Sequence, residues 1–249
     1  MVGERLFQRE GRSLGLSEFG RRYLDVVRQA LRTLTEFPIE PRNPDDDSRV
    51  KVTLPPTFAR YMMVPRLGQF MRRHPDIAVE LYLSVPLYDL SVSESDVEVR
   101  FGAGNYPNLI SEKLFEEPAF AVASPAYLAS IAPLTKPADL IHANLIRSAL
   151  EPWRPWFQAA GLDWPEPTSG VRVDDLGLLL ELIKHGHGVG LTRENFAREM
   201  LARGEVVPLF DLQLVAPPHS YYIVYEARSA RRPQVALLLD WMRTAFRNA

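Results

Sequence analysis

The sequence of 249 residues contains no cysteine. This absence excludes disulfide bonds, thiolate zinc sites, iron–sulfur clusters and cysteine nucleophiles, and it fits a reducing compartment. No segment approaches the roughly 18 consecutive apolar residues that indicate a membrane-spanning helix. The first residues, Met1 to Arg9, show neither the apolar stretch nor the small-residue cleavage site of a signal peptide. We therefore expect a cytoplasmic protein.

Signatures of the common catalytic sites are missing as well. The sequence has no Gly-x-Ser-x-Gly elbow, no Walker A loop and no His-Glu-x-x-His motif. His185 and His187 are the closest histidine pair, but side chains two residues apart point to different sides of a helix, so a polar helix end is favoured over a metal site. The aspartates of 45–47 are better explained as solvated linker residues than as a cation site. We predict no catalytic residue, no metal site and no cofactor.

Charge is distributed unevenly along the chain. The formal net charge of -2 argues against nucleic-acid binding by the chain as a whole. Residues 1–32, however, contain seven arginines against four acidic residues, a local net charge of +3. Such a basic end can contact phosphates, and a merely solvated helix face explains the same composition equally well.

The N-terminal 37 residues predict a hairpin followed by a long helix. Residues 5–16 form two short β-rich runs around Glu10-Gly11-Arg12, where glycine can adopt a positive φ. Ser17 is a suitable N-cap for a helix from Glu18 to Phe37. Apolar residues of that helix recur at spacings of three, four and three, as in a coiled-coil seam: Leu24, Val27, Leu31 and Leu34. We interpret this stripe as a dimerisation surface; packing against the helix's own domain is the alternative.

Residues 38–48 predict a linker, because three prolines and three consecutive aspartates prevent a helix and cannot form a core. Beyond it, short β-rich runs alternate with helical segments, which indicates an α/β fold with a largely parallel sheet. The predicted strands are 50–54, 77–83, 96–101, 120–123, 171–173, 189–191, 206–210 and 221–225. An amphipathic helix over 233–246 closes the chain.

Several motifs, in the same order, resemble those of LysR-type transcriptional regulators. The end of the winged helix-turn-helix of that family resembles the N-terminal segments, with Ser17 in place of a threonine. The sensor domain of the family resembles the later segments. The segments that carry the resemblance are 3–9, 14–20, 54–59, 64–77, 96–102 and 186–190. Arg100-Phe101-Gly102 and the pair Trp153 and Trp156 resemble most closely the glycine-cleavage and β-lactamase regulator branch.

The resemblance implies a sensor of two α/β lobes, like type 2 periplasmic binding proteins, preceded by a wing hairpin and a long linker helix. The chain would cross between lobes near 123–125 and 222–227. The implied organisation is wing and dimerisation helix 1–37, hinge linker 38–48, lobe I 49–124 with 227–249, and lobe II 125–226. Arg9 and Arg12 would contact the DNA backbone at the wing.

The sequence departs from the family pattern in three respects. Glu98 replaces a small residue, and Ser93 stands where glycine is common. The chain also starts at the wing, without the helices that would enter the major groove. We therefore expect promoter binding only where that reading domain is present, and both a truncated and a naturally shortened regulator remain open.

Effectors of such a sensor are expected between the lobes, since ligands of open α/β sheets bind beyond the carboxyl ends of strands and at domain interfaces. The candidate effector-binding residues are Thr57, Phe58, Arg100, Phe101, Asp175 and Tyr221. Thr57 lies where a helix N-terminus can hold an anion, or it is a plain turn residue. Arg100 can clamp a carboxylate, or it pairs with Glu98 or Asp96.

Four further residues have two interpretations each. Asp175 can face the ligand or cap a helix. Tyr221 can reach the ligand through its hydroxyl or pack in the core. Trp153 and Trp156 can stack on a ring-shaped ligand, although aromatic residues at this spacing more often pack in a core.

We expect a homodimer or homotetramer that senses a small metabolite, which can be anionic, and passes the signal to promoter DNA. The alternatives are a stand-alone small-molecule-binding protein of the same fold and, less favoured, an enzyme.

Overall fold

The computed structural model describes residues 5–10, 13–35, 48–84, 95–215 and 219–246. It divides into two compact units. The first contains the hairpin and the long helix. The second contains both α/β lobes. Arg12, Ser93 and the linker of 38–47 lie outside the described residues.

The described parts of the hairpin and of the first helix form as predicted, whereas Gly11, Glu36 and Phe37 lie outside the described residues. Strands β1 (Phe7–Glu10) and β2 (Ser13–Leu16) pair antiparallel, with Phe7 opposite Leu16. Helix α1 (Glu18–Thr35) follows. The Ser17 hydroxyl accepts the Gly20 N–H at 2.9 Å and donates to the Arg5 carbonyl at 2.6 Å, which confirms Ser17 as the N-cap.

Two members of the predicted seam differ in exposure from their neighbours on α1. Leu24 and Val27 are half-buried, whereas Val26 is exposed. Leu31 and Leu34 lie further along the same helix. This exposure pattern agrees with an apolar stripe along one side of α1; its role in dimerisation stays a prediction.

Five strands form the first sheet of the second unit, in the order β4-β3-β5-β12-β6. Their bounds are β3 (Arg49–Leu54), β4 (Ala78–Leu83), β5 (Val97–Gly102), β6 (Ile110–Phe115) and β12 (Ser220–Tyr225). β3 runs parallel to β4 and β5, but β12 runs antiparallel to β5 and β6. The predicted largely parallel sheet is therefore mixed: β3, β4, β5 and β6 run in one direction, and β12 runs in the opposite direction because it enters after the chain returns from the other lobe.

Helices cover this sheet and complete lobe I. Helix α2 (Pro56–Phe58) continues through a π-helical turn (Ala59–Met63) into α3 (Val64–Arg73), which ends at His74. The closing helix α8 (Pro233–Phe246) packs on the sheet beside α3. On β5, Val97, Val99 and Phe101 are buried, so the alternation read from the sequence identified the core face.

Lobe II is built on a sheet of three strands in the order β10-β7-β11. Its strands are β7 (Ala119–Ala123), β10 (Gly190–Thr192) and β11 (Val207–Leu214), with the short parallel pair β8 (Arg147–Ser148) and β9 (Arg172–Val173). Both outer strands of the three-stranded sheet run antiparallel to β7. The helices are α4 (Pro125–Ala129), α5 (Trp153–Ala159), α6 (Leu176–Lys184) and α7 (Glu194–Ala202). A short 3-10 turn lies at Pro137–His142, and another, at Ser229–Arg231, precedes α8 in lobe I.

The chain passes between the two sheets at other places than expected. Strand β7 belongs to lobe II, so the first crossing lies at 116–118 and not near 123–125. Strand β12 belongs to lobe I, so the return lies between Leu214 and Ser220 and not near 222–227. The cause is the same for both crossings. A strand that is buried on both faces lacks the alternation of apolar and polar residues that would indicate which sheet it joins.

The two tryptophans at the start of α5 are core residues. Trp153 and Trp156 are fully buried, with ring centroids 5.7 Å apart in an edge-to-face arrangement. The Trp153 indole N–H donates to the Ile146 carbonyl at 2.9 Å. These contacts confirm core packing as the role of the pair.

Among the described residues, we find no helix whose length and apolar character would let it span a bilayer. The same residues contain no group of three or more side chains suited to hold a metal ion.

Candidate functional site

Two helix starts, one from each lobe, meet at Thr57 and Asp175. Pro55 has extended backbone and Pro56 occupies the first turn of α2, which leaves Thr57 buried at that N-terminus. Asp175 caps α6, where its Oδ1 accepts the Leu178 N–H at 2.8 Å. The Thr57 hydroxyl donates to Asp175 Oδ2 at 2.8 Å and accepts the Gly177 N–H at 2.9 Å. A residue of lobe I thus completes the cap of a helix in lobe II.

Polar groups of both lobes approach Gly177 closely. A Cβ added to Gly177 would lie 3.0 Å from Asp175 Oδ1 and 3.2 Å from Arg60 Nη1. The capping interpretation of Asp175 is therefore confirmed. The carboxylate also occupies the place at both helix starts where an external anion would otherwise be favoured.

An aromatic cluster lies beside the junction and contains three of the predicted residues. The Tyr221 ring centroid lies 5.3 Å from that of Phe58, 4.7 Å from Phe101 and 5.4 Å from Phe196. Phe58 and Phe101 come from lobe I, whereas Phe196 belongs to α7 of lobe II. Burial raises the pKa of Tyr221 above its ordinary value. Tyr221 is therefore a neutral phenol, and its ring packs in the core.

A buried ion pair, which the sequence did not predict, lies against the same cluster. Arg193 is fully buried at the start of α7, and its Nε donates to Glu151 Oε1 at 2.5 Å. Its Nη2 donates to the His219 carbonyl at 2.8 Å, and the guanidinium lies 4.9 Å from the centre of the Phe101 ring. Burial raises the pKa of Glu151, and the Arg193 charge opposes that rise. Arg193 therefore contacts Glu151 of lobe II, the His219 carbonyl just before β12 and the Phe101 ring of lobe I.

Three atoms of this region retain unused hydrogen-bonding capacity. Among the described residues, Arg193 Nη1, Asn195 Nδ2 and Glu117 Oε2 are buried without a hydrogen-bond partner. Glu117 Oε1 accepts the Asn195 N–H at 3.1 Å, and burial raises the pKa of the Glu117 carboxyl. Buried polar groups in native proteins are nearly always paired. Two donors and one acceptor are thus placed near the lobe junction for a polar ligand or for water.

Arg100 lies elsewhere. Its Nε donates to Glu98 Oε2 at 2.7 Å, and its guanidinium lies 4.9 Å from the centre of the Tyr106 ring. Successive residues of a strand point to opposite faces, so Arg100 lies on the face of β5 opposite to Phe101. The salt-bridge interpretation is confirmed for Arg100, and the structure does not bring this residue to Thr57 and Asp175.

Comparison with known proteins gives one consistent family. Residues 45–247 match the model of the LysR substrate binding domain. The chain is 29% identical over 242 residues to the glycine cleavage system transcriptional activator of Escherichia coli, which covers 97% of this chain and 79% of that protein. It is 32% identical over 188 residues to the transcriptional activator AmpR of Citrobacter koseri, covering 75% of this chain and 63% of that protein.

Solved structures agree with these relatives. The effector domain of AmpR from Pseudomonas aeruginosa superposes with a TM-score of 0.71 at 27% identity, over 79% of this chain and 94% of that one. The full-length virulence activator AphB of Vibrio cholerae superposes with a TM-score of 0.67 at 25% identity, over 96% of this chain and 83% of that one.

Proposed function

This chain belongs to the LysR-type family of transcriptional regulators, and from that premise we propose that a small polar metabolite binds between its lobes and thereby controls transcription. The fold is the two-lobed, periplasmic-binding-protein-like effector domain. The observation that carries the proposal is the junction of Thr57 with Asp175, where one hydrogen-bonded unit spans both lobes.

The proposed effector contacts are the junction and the polar atoms around it. Thr57 and Asp175 would orient the metabolite, and the rings of Phe58, Phe101 and Tyr221 would form the apolar wall. Arg193 Nη1 and Glu117 Oε2 would supply a donor and an acceptor. An anionic group would go to Arg193 and not to the two helix starts, because Asp175 already places a carboxylate there.

The proposed output is a change in lobe closure or in protomer packing that reaches DNA through α1. A ligand shifts such an equilibrium only as far as its affinities for the two states differ. The apolar residues Leu24, Val27, Leu31 and Leu34 would form the dimer seam. Arg9 and Arg12 would contact the DNA backbone in a cytoplasmic complex.

A thermal-shift screen of polar metabolites against the purified protein tests the proposal. We expect at least one compound to raise the melting temperature of the wild type, since a ligand that binds only the folded state stabilises it. The same compound should bind at least tenfold more weakly to Thr57→Val. Thr244→Val is the matched control, because its hydroxyl only donates to the Asp240 carbonyl on the outside of α8. A monomeric protein that no metabolite stabilises would contradict the proposal.

A further inference from the structure

A pocket lies in lobe II, apart from the lobe junction. Its volume is about 460 Å³, within the range of small-molecule sites. Strands β8 and β9, the start of α5 and residues 166–167 form its walls. None of the residues proposed for effector contact lines it.

The lining is basic. Arg147, Arg154 and Arg172 contribute three positive charges, and Glu166 contributes the one negative charge. Both oxygens of Glu166 are already engaged, since they accept the backbone N–H groups of Trp153 at 3.1 Å and Arg154 at 2.8 Å. The carboxylate therefore caps α5, and among the described residues no salt bridge joins it to any of the three arginines.

Each arginine keeps capacity for an anion. Arg147 donates from Nη1 to the Pro167 carbonyl at 3.3 Å and from Nη2 to the Gly170 carbonyl at 3.0 Å, so its position is fixed by neutral acceptors. Within the described chain, its Nε is buried without a partner. Arg172 lies 3.3 Å from Asp174 in a partly exposed pair, and such pairs are weak.

Arg154 is the most available of the three. It is exposed on α5, and no carboxylate pairs with its side chain among the described residues. Guanidinium groups bind oxyanions through directed pairs of N–H bonds. The rest of the lining is apolar and stiff, because it consists of Ala149 and three prolines apart from Ser148.

We propose that this pocket is a second anion site, which takes a carboxylate or phosphate ester attached to a compact apolar body. The three arginines would hold the oxyanion, and the proline wall would pack against the apolar body. The site stands on its own lining and does not depend on where the effector binds.

The pocket is also connected to the lobe junction through its two strands, and this consequence rests on the proposed function. The chain continues from β8 to Glu151, the partner of Arg193, and from β9 to Asp175, the partner of Thr57. An anion that binds both Arg147 and Arg172 would change the positions of β8 and β9. Occupancy of the pocket would therefore change the affinity of the junction for its effector.

The test is amide chemical-shift mapping of the isotopically labelled chain with four probes: benzoate, phenyl phosphate, inorganic phosphate and benzamide. Benzoate or phenyl phosphate should shift amides of 147–149 and 166–172, and whichever binds more tightly identifies the oxyanion. Inorganic phosphate should bind more weakly because it lacks the apolar body. Neutral benzamide should leave these amides in place.

Arg154→Glu should weaken the binding of the better probe by tenfold or more, and Arg172→Gln should weaken it by less. Arg203→Glu is the control, because Arg203 is an exposed arginine of the same lobe that pairs with Glu199 outside the pocket. Three results would overturn the proposal. Benzamide could bind as tightly as the anionic probes, Arg203→Glu could weaken binding as much as Arg154→Glu, or no amide of 147–172 could shift. Thr57→Val should leave the probe shifts intact, so failure of the effector site and failure of this pocket are distinguishable.

Discussion

The hydroxyl of Thr57, in lobe I, donates to the carboxylate of Asp175, in lobe II, over 2.8 Å. The same hydroxyl accepts the Gly177 N–H, so one buried side chain serves both a lobe contact and a helix start. Each lobe therefore fixes part of the local structure of the other. A ligand that displaces this hydrogen bond would therefore change the contact between the two lobes.

Thr57→Val tests the energetic weight of that contact. Valine keeps the shape but removes the hydroxyl, which leaves the Gly177 N–H buried without its acceptor. We expect the free energy of unfolding to fall by about 1–3 kcal/mol. Urea denaturation followed by circular dichroism measures it, and a loss as small as that of Thr244→Val would refute the structural role.

Arg193 and Glu151 form a second link, and removing one partner should lower the free energy of unfolding more than removing both. Glu151→Leu leaves a fully buried guanidinium charge, which is expected to lower stability by about 3–5 kcal/mol. Glu151→Leu combined with Arg193→Met should recover part of that loss. The exposed pair Arg203 and Glu199 should show a coupling below about 0.5 kcal/mol. If the double variant lost as much stability as the two single variants added together, the contact between Glu151 and Arg193 would be contradicted.

Gly20→Ala tests the junction of hairpin and helix. A Cβ at position 20 would lie 1.9 Å from the Leu6 carbonyl oxygen, a distance that backbone atoms cannot tolerate. We expect loss of the Ser17 cap and of helical signal from α1. Gly68→Ala is the control, since the atom nearest to its added Cβ is the flexible end of Arg72 at 3.3 Å, and replacing a helical glycine stabilises by up to about 1 kcal/mol. Equal helix content in both variants would show that the close approach is absent.

The C-terminal helix should depend on acidity through Glu112. Arg243 donates to this carboxylate at 2.7 Å and 2.8 Å, and these hydrogen bonds lower the pKa of Glu112. Because the folded pKa lies below the unfolded one, the stabilisation is present above the unfolded value of about 4.3 and is lost as pH falls through the folded pKa. Arg243→Met should flatten the stability profile in that acidic window. A profile parallel to that of the wild type would count against the pair.

The sequence predicts the core residues of a strand or helix well when one face of that element is buried and the other is not. On β5 the alternation of Val97, Val99 and Phe101 is complete, and the structure confirms it. Strand β7 was assigned to the wrong lobe because all five of its residues are buried. Strand β6 was missed because Ser111, Glu112 and Lys113 interrupt its apolar pattern.

The candidate site shows the same limit. Local turn and cap chemistry, together with the family resemblance, marks Thr57 and Asp175 as candidates. Arg193 was not found, since a single arginine at a helix start is typical of a surface. Its burial depends on Glu151, which lies 42 residues away in the sequence and next to it only in the fold.

We propose that a metabolite binds where the lobes meet. The most direct measurement is amide chemical-shift mapping with the compound that most raises the melting temperature. We expect shifts concentrated at 57–61, 175–178 and 193–196. Shifts confined to other parts of the second unit, with these three segments unchanged, would contradict it.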